Sequence, residues 1–182
     1  RMNSIEKALM NNPVRAAIQR RYEAPLLKRL GGTVDGEHVL EIGCGQGVGT
    51  QIILEQFGAA HVTAIDLDPA MIDRARERLR DHGDKVALRT GDAEHIDAPD
   101  DSFDAVFDFG IIHHIPNWRA SIEEVHRVIR PSGRFYFEEV TSHALARWSY
   151  RCLLYTSDAA DDLLCVDLGG TRILKKKQQT SR

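Results

Sequence analysis

Acidic residues and glycines recur at the ends of strand-like runs in this sequence, and both can hold a small ligand. The first such run, Val39–Ile42, leads into the turn Gly43–Gly47, which has glycine at every second position and precedes a helix-like run. Because glycine lacks Cβ, this turn can adopt positive φ and approach a ligand closely. The following helix directs its free N–H groups into the same space. The turn is therefore predicted to bind a ligand that carries a carboxylate or a phosphate.

The spacing of the glycines distinguishes between kinds of nucleotide-binding turn. A dinucleotide fingerprint needs a third glycine three residues after the second, and Val48 or Thr50 stands there in the two possible registers. No Gly-Lys-Ser/Thr sequence follows, so a P-loop is excluded as well. What remains is an acidic residue, Glu41, one residue before Gly-x-Gly-x-Gly. A tight strand-to-helix turn without a ligand is the alternative interpretation of this motif alone.

Further acidic residues follow the next two strand-like runs. Asp66 comes after His61–Ile65, about 20 residues beyond the glycine turn, where a ribose-binding carboxylate belongs in dinucleotide-type folds. A carboxylate can accept hydrogen bonds from both ribose hydroxyls at once. Asp92 follows Val86–Thr90, which neighbours the second strand in such a sheet. Asp68 is assigned a different role, as the N-cap of the next helix.

Two adjacent histidines, His113 and His114, lie beyond the fourth strand-like run. Adjacent side chains on irregular backbone point in different directions, and no carboxylate or cysteine has metal-ligand spacing with them, so no metal site is predicted. Imidazole titrates near neutral pH, so one histidine could act as a general base. The structural alternative is that they hydrogen-bond their loop to the helix after Asn117.

Strands and helices alternate along the chain and would position these residues. Predicted strands cover His38–Ile42, His61–Ile65, Val86–Thr90, Asp104–Phe109 and Phe135–Val140. Helix-like runs extend to Phe57, from Asp68 to Gly83, and over Ile122–Ile129. An amphipathic segment with breaks near Pro13 and Pro25 precedes them over Ser4–Leu30. Alternation with short connections predicts an α/β fold with a doubly wound parallel sheet.

Composition limits the classes of protein to consider. The chain has 182 residues, 42% of them hydrophobic, which suits one domain with a substantial core. A net charge of −3 provides no basic footprint, which argues against a nucleic-acid partner. No apolar run is long enough for stable membrane insertion, and no secretory signal is present. Three cysteines without metal or disulfide spacing predict a cytoplasmic protein. The oligomeric state is left open.

Four ordered motifs between Val39 and Val140 resemble those of class I S-adenosylmethionine-dependent methyltransferases, in the small-molecule branch that includes the type 11-like enzymes. The motifs are Glu41 with the glycine turn, the segment ending at Asp66, Thr90–Ala93, and Phe103–Asn117 with its His-His-Ile-Pro end. The resemblance implies a Rossmann-like sheet with strand order 3-2-1-4-5. It also implies S-adenosylmethionine as cofactor and in-line methyl transfer to a small organic acceptor.

The resemblance further assigns roles to individual residues. Glu41 and the Gly43–Gly47 backbone would hold the methionine end of the cofactor, Asp66 the ribose, and Asp92 with Ala93 the adenine. The implied cofactor-binding set is Glu41, Gly43, Cys44, Gly45, Gly47, Asp66, Leu67, Asp92, Ala93, Asp108 and Ile111. His113 and His114 are the catalytic candidates, and the N-terminal segment with Tyr22 would form a lid. An aminopropyl transferase-like enzyme, a non-catalytic nucleotide- or S-adenosylmethionine-binding module and an inactive fragment are the alternatives.

The C-terminal part of the chain does not resemble the family, which adds two further strands there, the last of them antiparallel. Cys152–Asp161 resembles the translation of TGTCTCTTATACACATCTGACGCTGCCGAC, a transposase-based sequencing-library adapter, and Val166–Gly170 that of GTAGATCTCGGTGGT from an outer adapter. We predict a helical lid over 1–37, an incomplete S-adenosylmethionine-binding domain over 38–151, and a non-native tail over 152–182. A native polar tail is the alternative. On the adapter interpretation, the fifth strand is an unprotected sheet edge.

Overall fold

The structure, a computed structural model, describes residues 12–138 and the strand 171–175. Its strands are β1 (His38–Ile42), β2 (His61–Asp66), β3 (Val86–Thr90), β4 (Phe103–Phe109), β5 (Ile129–Glu138) and β6 (Thr171–Lys175). They form one sheet in the order β3-β2-β1-β4-β5-β6, in which β1 to β5 are parallel and β6 is antiparallel. The predicted α/β class and the strand order 3-2-1-4-5 are confirmed.

The central strands are apolar on both faces because helices cover both sides of a doubly wound sheet. β1 pairs with β2 and β4, so that Leu40 lies between Thr63 and Val106. Alternate residues of these strands enter two separate clusters of buried side chains, one on each face of the sheet. In one of them Phe107 stacks on Tyr136 with ring centroids 4.3 Å apart. This burial on both faces explains the continuous apolar runs from which the strands were predicted.

The N-terminal helix, α1, is continuous through the predicted break at Pro25. It consists of an α-helical turn, a π-helical segment and a second α-helical part, at Pro13–Ile18, Gln19–Glu23 and Ala24–Gly31. Pro25 has no N–H to donate, and the N–H of Ala24 reaches five residues back to the carbonyl of Gln19. The wider π turn therefore absorbs the proline without ending the helix. The part of the predicted segment before residue 12 lies outside the described residues.

The other helices connect successive strands. They are α2 (Val48–Ile52, continued as a π-helical segment over Ile53–Phe57), α3 (Pro69–Leu79, followed by 3-10 turns over Arg80–Lys85) and α4 (Trp118–Val128). Asp68 caps α3 as predicted, because its Oδ1 accepts from the N–H of Ala70 at 3.0 Å. α4 begins earlier than predicted, after an Asn117 cap, and β5 takes over at Ile129. Within the described ranges, no helix combines the length and the apolar character needed to cross a bilayer.

β5 is paired on both sides, and the prediction that it forms an unprotected sheet edge is wrong. β6 runs antiparallel to it, with Tyr136 opposite Ile173. The N–H and C=O groups of a sheet edge favour pairing with any available strand, and Thr171–Lys175 contains residues of high strand propensity. The structure thus places one strand where the sequence predicted none. Residues 139–140, the predicted end of β5, lie outside the described part of the chain.

The C-terminal end of α1 is attached to β5. The Arg134 guanidinium donates to the carbonyls of Gly31 at 2.9 Å and Thr33 at 2.8 Å. The Tyr136 hydroxyl donates to the same Gly31 carbonyl at 2.9 Å. Helix ends leave carbonyls without intrahelical partners, and these side chains satisfy them. β5 therefore fixes the end of a helix that is distant in sequence.

The N-terminal part of α1 meets the carboxyl end of β5 through a group of three charged residues. Arg15 forms an ion pair with Glu23 on the same helix, and its other terminal nitrogen lies 3.6 Å from Glu138 Oε1. The pKa of Glu138 is raised to about 9, first by burial and then by the neighbouring Glu23 carboxyl, while Arg15 opposes both effects. Glu138 is therefore protonated near neutral pH and shares a hydrogen bond with Glu23.

We expect Glu138→Gln to remove a pH dependence of stability. The carboxamide resembles the protonated carboxyl and can donate to Glu23 in the same way. Because the pKa is raised from 4.5 to about 9 on folding, the contribution of Glu138 to the free energy of unfolding is full below the lower value and is lost as the pH rises through the higher one. The wild-type protein should lose stability relative to the variant by at most about 1.4 kcal/mol per pH unit in between.

Urea unfolding at several pH values across this range measures the difference. Asp73→Asn is the matched control, because the Asp73 side chain is 72% exposed and its ion pair with Arg76 lies on the surface. That variant should follow the wild-type curve. If the curves of Glu138→Gln and wild-type protein ran parallel, Glu138 would not be the titrating group.

Candidate functional site

A cavity of about 110 Å³ lies at the carboxyl ends of β1 and β2, where ligands bind in open α/β sheets. The turn after β1 forms its floor, and the β2–α3 connection and the end of β4 form two of its sides. α1 closes it with Arg15, Ala16 and Gln19. The cavity therefore joins the N-terminal segment to the predicted ligand-binding turn.

The glycine turn has the backbone that its spacing predicts. Gly43, Gly45 and Gly47 have φ values of 67°, 53° and 85°, a region that favours glycine. A Cβ at Gly43 would lie 2.6 Å from the Ile111 side chain, so this position needs glycine for space as well. The turn also closes on itself, because the N–H of Gly47 donates to the Cys44 carbonyl at 2.9 Å. Of the five turn residues Gly43–Gly47, all except Gly47 line the cavity.

Asp66 connects the turn to the start of α3. Its Oδ2 accepts from the N–H of Gly45 at 2.8 Å, and its Oδ1 accepts from the N–H of Asp68 at 2.9 Å. An ionised carboxylate offers about four lone-pair sites, so it can hold the turn and a ligand together. Asp66 lines the cavity, and so does the capping residue Asp68.

Glu41 is a buried carboxyl group on the cavity wall. Its Oε2 accepts a hydrogen bond from the Thr50 hydroxyl on α2. The pKa of Glu41 is raised to about 8, first by burial and also by the Asp66 and Asp108 carboxylates, while the hydrogen bond from Thr50 opposes the rise. Gly49 leaves room for it, because a Cβ there would overlap Glu41 Oε1. Three carboxylates thus lie close enough to influence one another.

The charge around the cavity favours a cation. The carboxylates Asp66 and Asp68 line it, Glu41 adds a carboxyl group whose raised pKa keeps it mostly protonated near neutral pH, and Arg15 is the one basic residue among the described lining residues. Acidic walls of low dielectric concentrate positive charge and repel phosphates. A cationic ligand therefore suits the site better than a dinucleotide with its pyrophosphate.

Asp108 and Cys44 support the cavity in different ways. Asp108 is fully buried at the end of β4, and its Oδ1 accepts from the N–H of Ile111 at 2.8 Å, which places the Ile111 side chain on the wall. Cys44 lines the cavity within the turn, and burial raises the pKa of its thiol. A neutral thiol is a poor nucleophile, so Cys44 serves in the turn as a small residue and not as a nucleophile.

Five residues of the implied cofactor-binding set do not line the cavity, namely Gly47, Leu67, Asp92, Ala93 and Asp108. The Asp92 carboxylate accepts from the N–H of Glu94 at 2.9 Å. Ala93 is buried in the core cluster that contains Ile65. Leu67 is 63% exposed between two lining residues. The adenine role of Asp92 and Ala93 stays a prediction.

His113 and His114 lie on a short 3-10 segment, Ile112–His114, directly after the lining residue Ile111. Their ring centroids are 3.9 Å apart, and burial lowers the pKa of His113. Neither lines the cavity. Across residues 12–138, no three His, Cys, Asp or Glu side chains are grouped so as to hold a metal ion.

Several lining residues were missed by the sequence analysis. They are Arg15, Ala16, Gln19, Val48, Gly49, Asp68, Met71 and Phe109. Tyr22, the predicted lid residue, is 70% exposed and does not line the cavity. The amphipathic pattern of α1 indicated a helix but not its phase, because the π-helical segment rotates the face that meets the sheet.

The family model and two curated relatives that match this chain are all methyltransferases. The methyltransferase domain family matches residues 39–133, just over half of the chain. A "Probable phthiotriol/phenolphthiotriol dimycocerosates methyltransferase 2" of Mycobacterium ulcerans is 36% identical over 107 residues, 59% of this chain and 41% of the relative. A fatty-acid O-methyltransferase of Mycolicibacterium smegmatis is 36% identical over 106 residues, 58% of this chain and 38% of the relative.

Solved structures show the same fold. A crystal structure of a SAM-dependent methyltransferase from Aquifex aeolicus superposes with a TM-score of 0.66 at 22% identity, covering 78% of this chain and 74% of that one. At this identity the likeness concerns the fold alone. The chain spans about two fifths of the length of the two curated relatives.

Proposed function

The chain belongs to the methyltransferase domain family, and on that premise we propose that it transfers a methyl group from S-adenosylmethionine to a small organic acceptor. The observation that carries the proposal is the acidic cavity at the glycine turn. Its walls include a carboxylate at the end of β2, Asp66, and a buried carboxyl on β1, Glu41. A sulfonium donor is a cation with a ribose, and both features match these groups.

The described residues fit the donor along its length. Asp66 would accept from the ribose hydroxyls while it holds the Gly45 N–H, and the turn would approach the methionine end without side chains in the way. A cationic donor would favour ionisation of the Glu41 carboxyl group, which the raised pKa keeps mostly protonated in the free protein. When bound, the donor supplies an already activated methyl group. The chain's own contribution would be alignment of the two reactants and exclusion of water, for which α1 covers the cavity.

The acceptor would enter beside the segment after β4. His113 is a candidate base there, since burial lowers its pKa and keeps the imidazole neutral and able to accept a proton. One of the relatives is named for fatty acids and another for phthiotriol-type dimycocerosates. We therefore propose a hydroxyl or carboxyl group on an apolar molecule as the first acceptor class to test.

Isothermal titration calorimetry with S-adenosylmethionine, S-adenosylhomocysteine and NAD tests the donor. We expect both sulfur ligands to bind and NAD not to bind, because the carboxylates repel a pyrophosphate. Transfer of a labelled methyl group to fatty acids and phenols then tests catalysis. Binding of NAD with neither sulfur ligand would overturn the proposal. Binding of the sulfur ligands without transfer to any acceptor would favour a non-catalytic binding module.

We also propose that the tail over 152–182 is translated adapter and that the protein acts in the cytoplasm. The resemblance of Cys152–Asp161 to the translated adapter supports the first point, and cysteine usage supports the second. Pairing of Thr171–Lys175 with β5 needs strand propensity and does not depend on the origin of the segment. The underlying nucleotide sequence decides, since a genomic sequence that encodes the tail with unrelated codons would contradict the adapter.

A further inference from the structure

The solvent side of α1 carries most of the exposed apolar side chains in the described part of the chain. Val14, Ile18 and Tyr22 are 63%, 45% and 70% exposed, and Leu30 near the end of the same helix is 57% exposed. The first three follow one another at intervals of four residues, so they lie on one side of the helix. Single exposed apolar residues are common, whereas a continuous group of them marks a surface that contacts another molecule.

The charged residues next to this group are basic. Arg21 and Arg29 are exposed, and neither forms an ion pair with another described residue. α1 contains five basic residues and one acidic residue, although the whole chain has a net charge of −3. The acidic residue, Glu23, is only 12% exposed and is paired with Arg15. The outer face of α1, which we define as Val14, Ile18, Tyr22, Arg21 and Arg29, is therefore both apolar and positively charged.

We propose that the outer face of α1 docks on the surface of a lipid bilayer that contains anionic lipids. In an interfacial helix, apolar side chains enter the boundary between headgroups and acyl chains, and basic residues are attracted by the negative headgroups. Val14, Ile18 and Tyr22 supply the first contact, and Arg21 and Arg29 supply the second. Such a helix lies on the bilayer and does not span it.

A lipid surface suits this face better than a protein partner does. A stable protein–protein interface buries about 1,200–2,000 Å², and one side of a single helix with three apolar side chains provides a small part of that area. A bilayer needs no matching shape, and its negative potential adds attraction for the arginines. A second copy of the chain would instead place like charges opposite one another across a two-fold axis, which is unfavourable.

Docking through this face would bring the cavity to the lipid surface. α1 also forms one wall of the cavity, to which it contributes Arg15, Ala16 and Gln19. An apolar acceptor of the class proposed above partitions into a bilayer, so it would be concentrated beside the helix that covers the cavity. This consequence for the acceptor rests on the proposed function, whereas the docking itself does not depend on it.

Co-sedimentation with vesicles of phosphatidylcholine and phosphatidylglycerol in equal parts tests the docking. We expect the wild-type chain to bind these vesicles and to bind pure phosphatidylcholine much more weakly. Each basic residue near an anionic surface contributes about a fivefold change in affinity, so Arg21→Gln combined with Arg29→Gln should weaken binding about 25-fold. Arg74→Gln combined with Arg80→Gln, at two exposed arginines on α3 and the turn after it, is the charge-matched control and should bind like the wild type.

A tryptophan on the outer face tests which surface touches the lipid. The emission of Tyr22→Trp, after subtraction of the wild-type spectrum, should shift to shorter wavelength when anionic vesicles are added, because the indole enters an apolar environment. Arg74→Trp, on an exposed face of α3, should not shift. Circular dichroism confirms that each variant is folded.

Three results would overturn the inference: no binding of the wild-type chain to anionic vesicles, equal binding of the double arginine variant, or an unshifted Tyr22→Trp emission in their presence. An emission at short wavelength without lipid would overturn it as well, since a second copy or another part of the chain would then cover this face. None of these results bears on binding of the methyl donor, which calorimetry measures separately.

Discussion

Replacing Asp66 by alanine is expected to weaken S-adenosylhomocysteine binding at least about a hundredfold. Hydrogen bonds to a charged group contribute about 1.5–3 kcal/mol each, and two ribose hydroxyls would lose such a bond, which corresponds to a factor of about 100 or more. The variant also removes the acceptor of the Gly45 and Asp68 N–H groups, at 2.8 and 2.9 Å. The turn would then lose its fixed position under the ligand.

Calorimetry on folded protein measures this effect. Asp73→Ala removes a carboxylate from the exposed face of α3 and serves as the charge-matched control, with unchanged affinity expected. Thermal unfolding of Asp66→Ala separates a local change in the turn from loss of the fold. Unchanged affinity in Asp66→Ala would exclude Asp66 from the ligand site.

Gly49→Ala is expected to destabilise the protein by about 1–3 kcal/mol or more. Helix propensity alone predicts the opposite, since alanine is favoured over glycine by about 1 kcal/mol within a helix. The new Cβ would overlap Glu41 Oε1 and lie 2.7 Å from the Phe109 ring. Glu41 is fully buried and bonded to Thr50, so it cannot move into solvent. The overlap therefore outweighs the gain in propensity.

Chemical unfolding of the single and double variants tests this explanation. Glu41→Ala creates space beside Gly49, so the double variant should be less destabilised than the sum of the two single variants. Gly36→Ala is the steric control, because a Cβ there meets nothing within 4 Å and only its φ of 75° carries a cost. Additive effects in the double variant would show that Glu41 is not the clashing group.

The sequence was sufficient for the sheet but not for its last edge. β1 matches its predicted bounds because its apolar run is buried between helices, and the half-exposed edge strand β3 matches its predicted bounds as well. The Asp68-Pro69 pair marked the start of α3. β6 forms because the edge N–H and C=O groups of β5 need partners, and the sequence of residues 171–175 does not indicate which strand they will pair with. An edge pairing is decided by the partner strand, and local pattern does not show it.

The candidate site, like the sheet, could be predicted from the sequence only in part. The turn, Glu41 and Asp66 could be located because glycine spacing and strand-end carboxylates are local features. Gln19 could not, because its burial depends on the π turn that accommodates Pro25 and on the docking of α1 against the sheet. The roles of Asp92 and His113 stay predictions, since neither residue lines the cavity.

The hydrogen bonds from β5 to the end of α1 also set an order of events during synthesis. Arg134 and Tyr136 bond carbonyls that lie 101 to 105 residues earlier in the chain. Contacts of such long sequence separation form late in folding, after the intervening elements have reduced the entropy of closure. On the ribosome, α1 is synthesised before the strands, but it cannot dock in its final position until β5 has also been synthesised. The wall of the cavity that is synthesised first is thus the last to be completed.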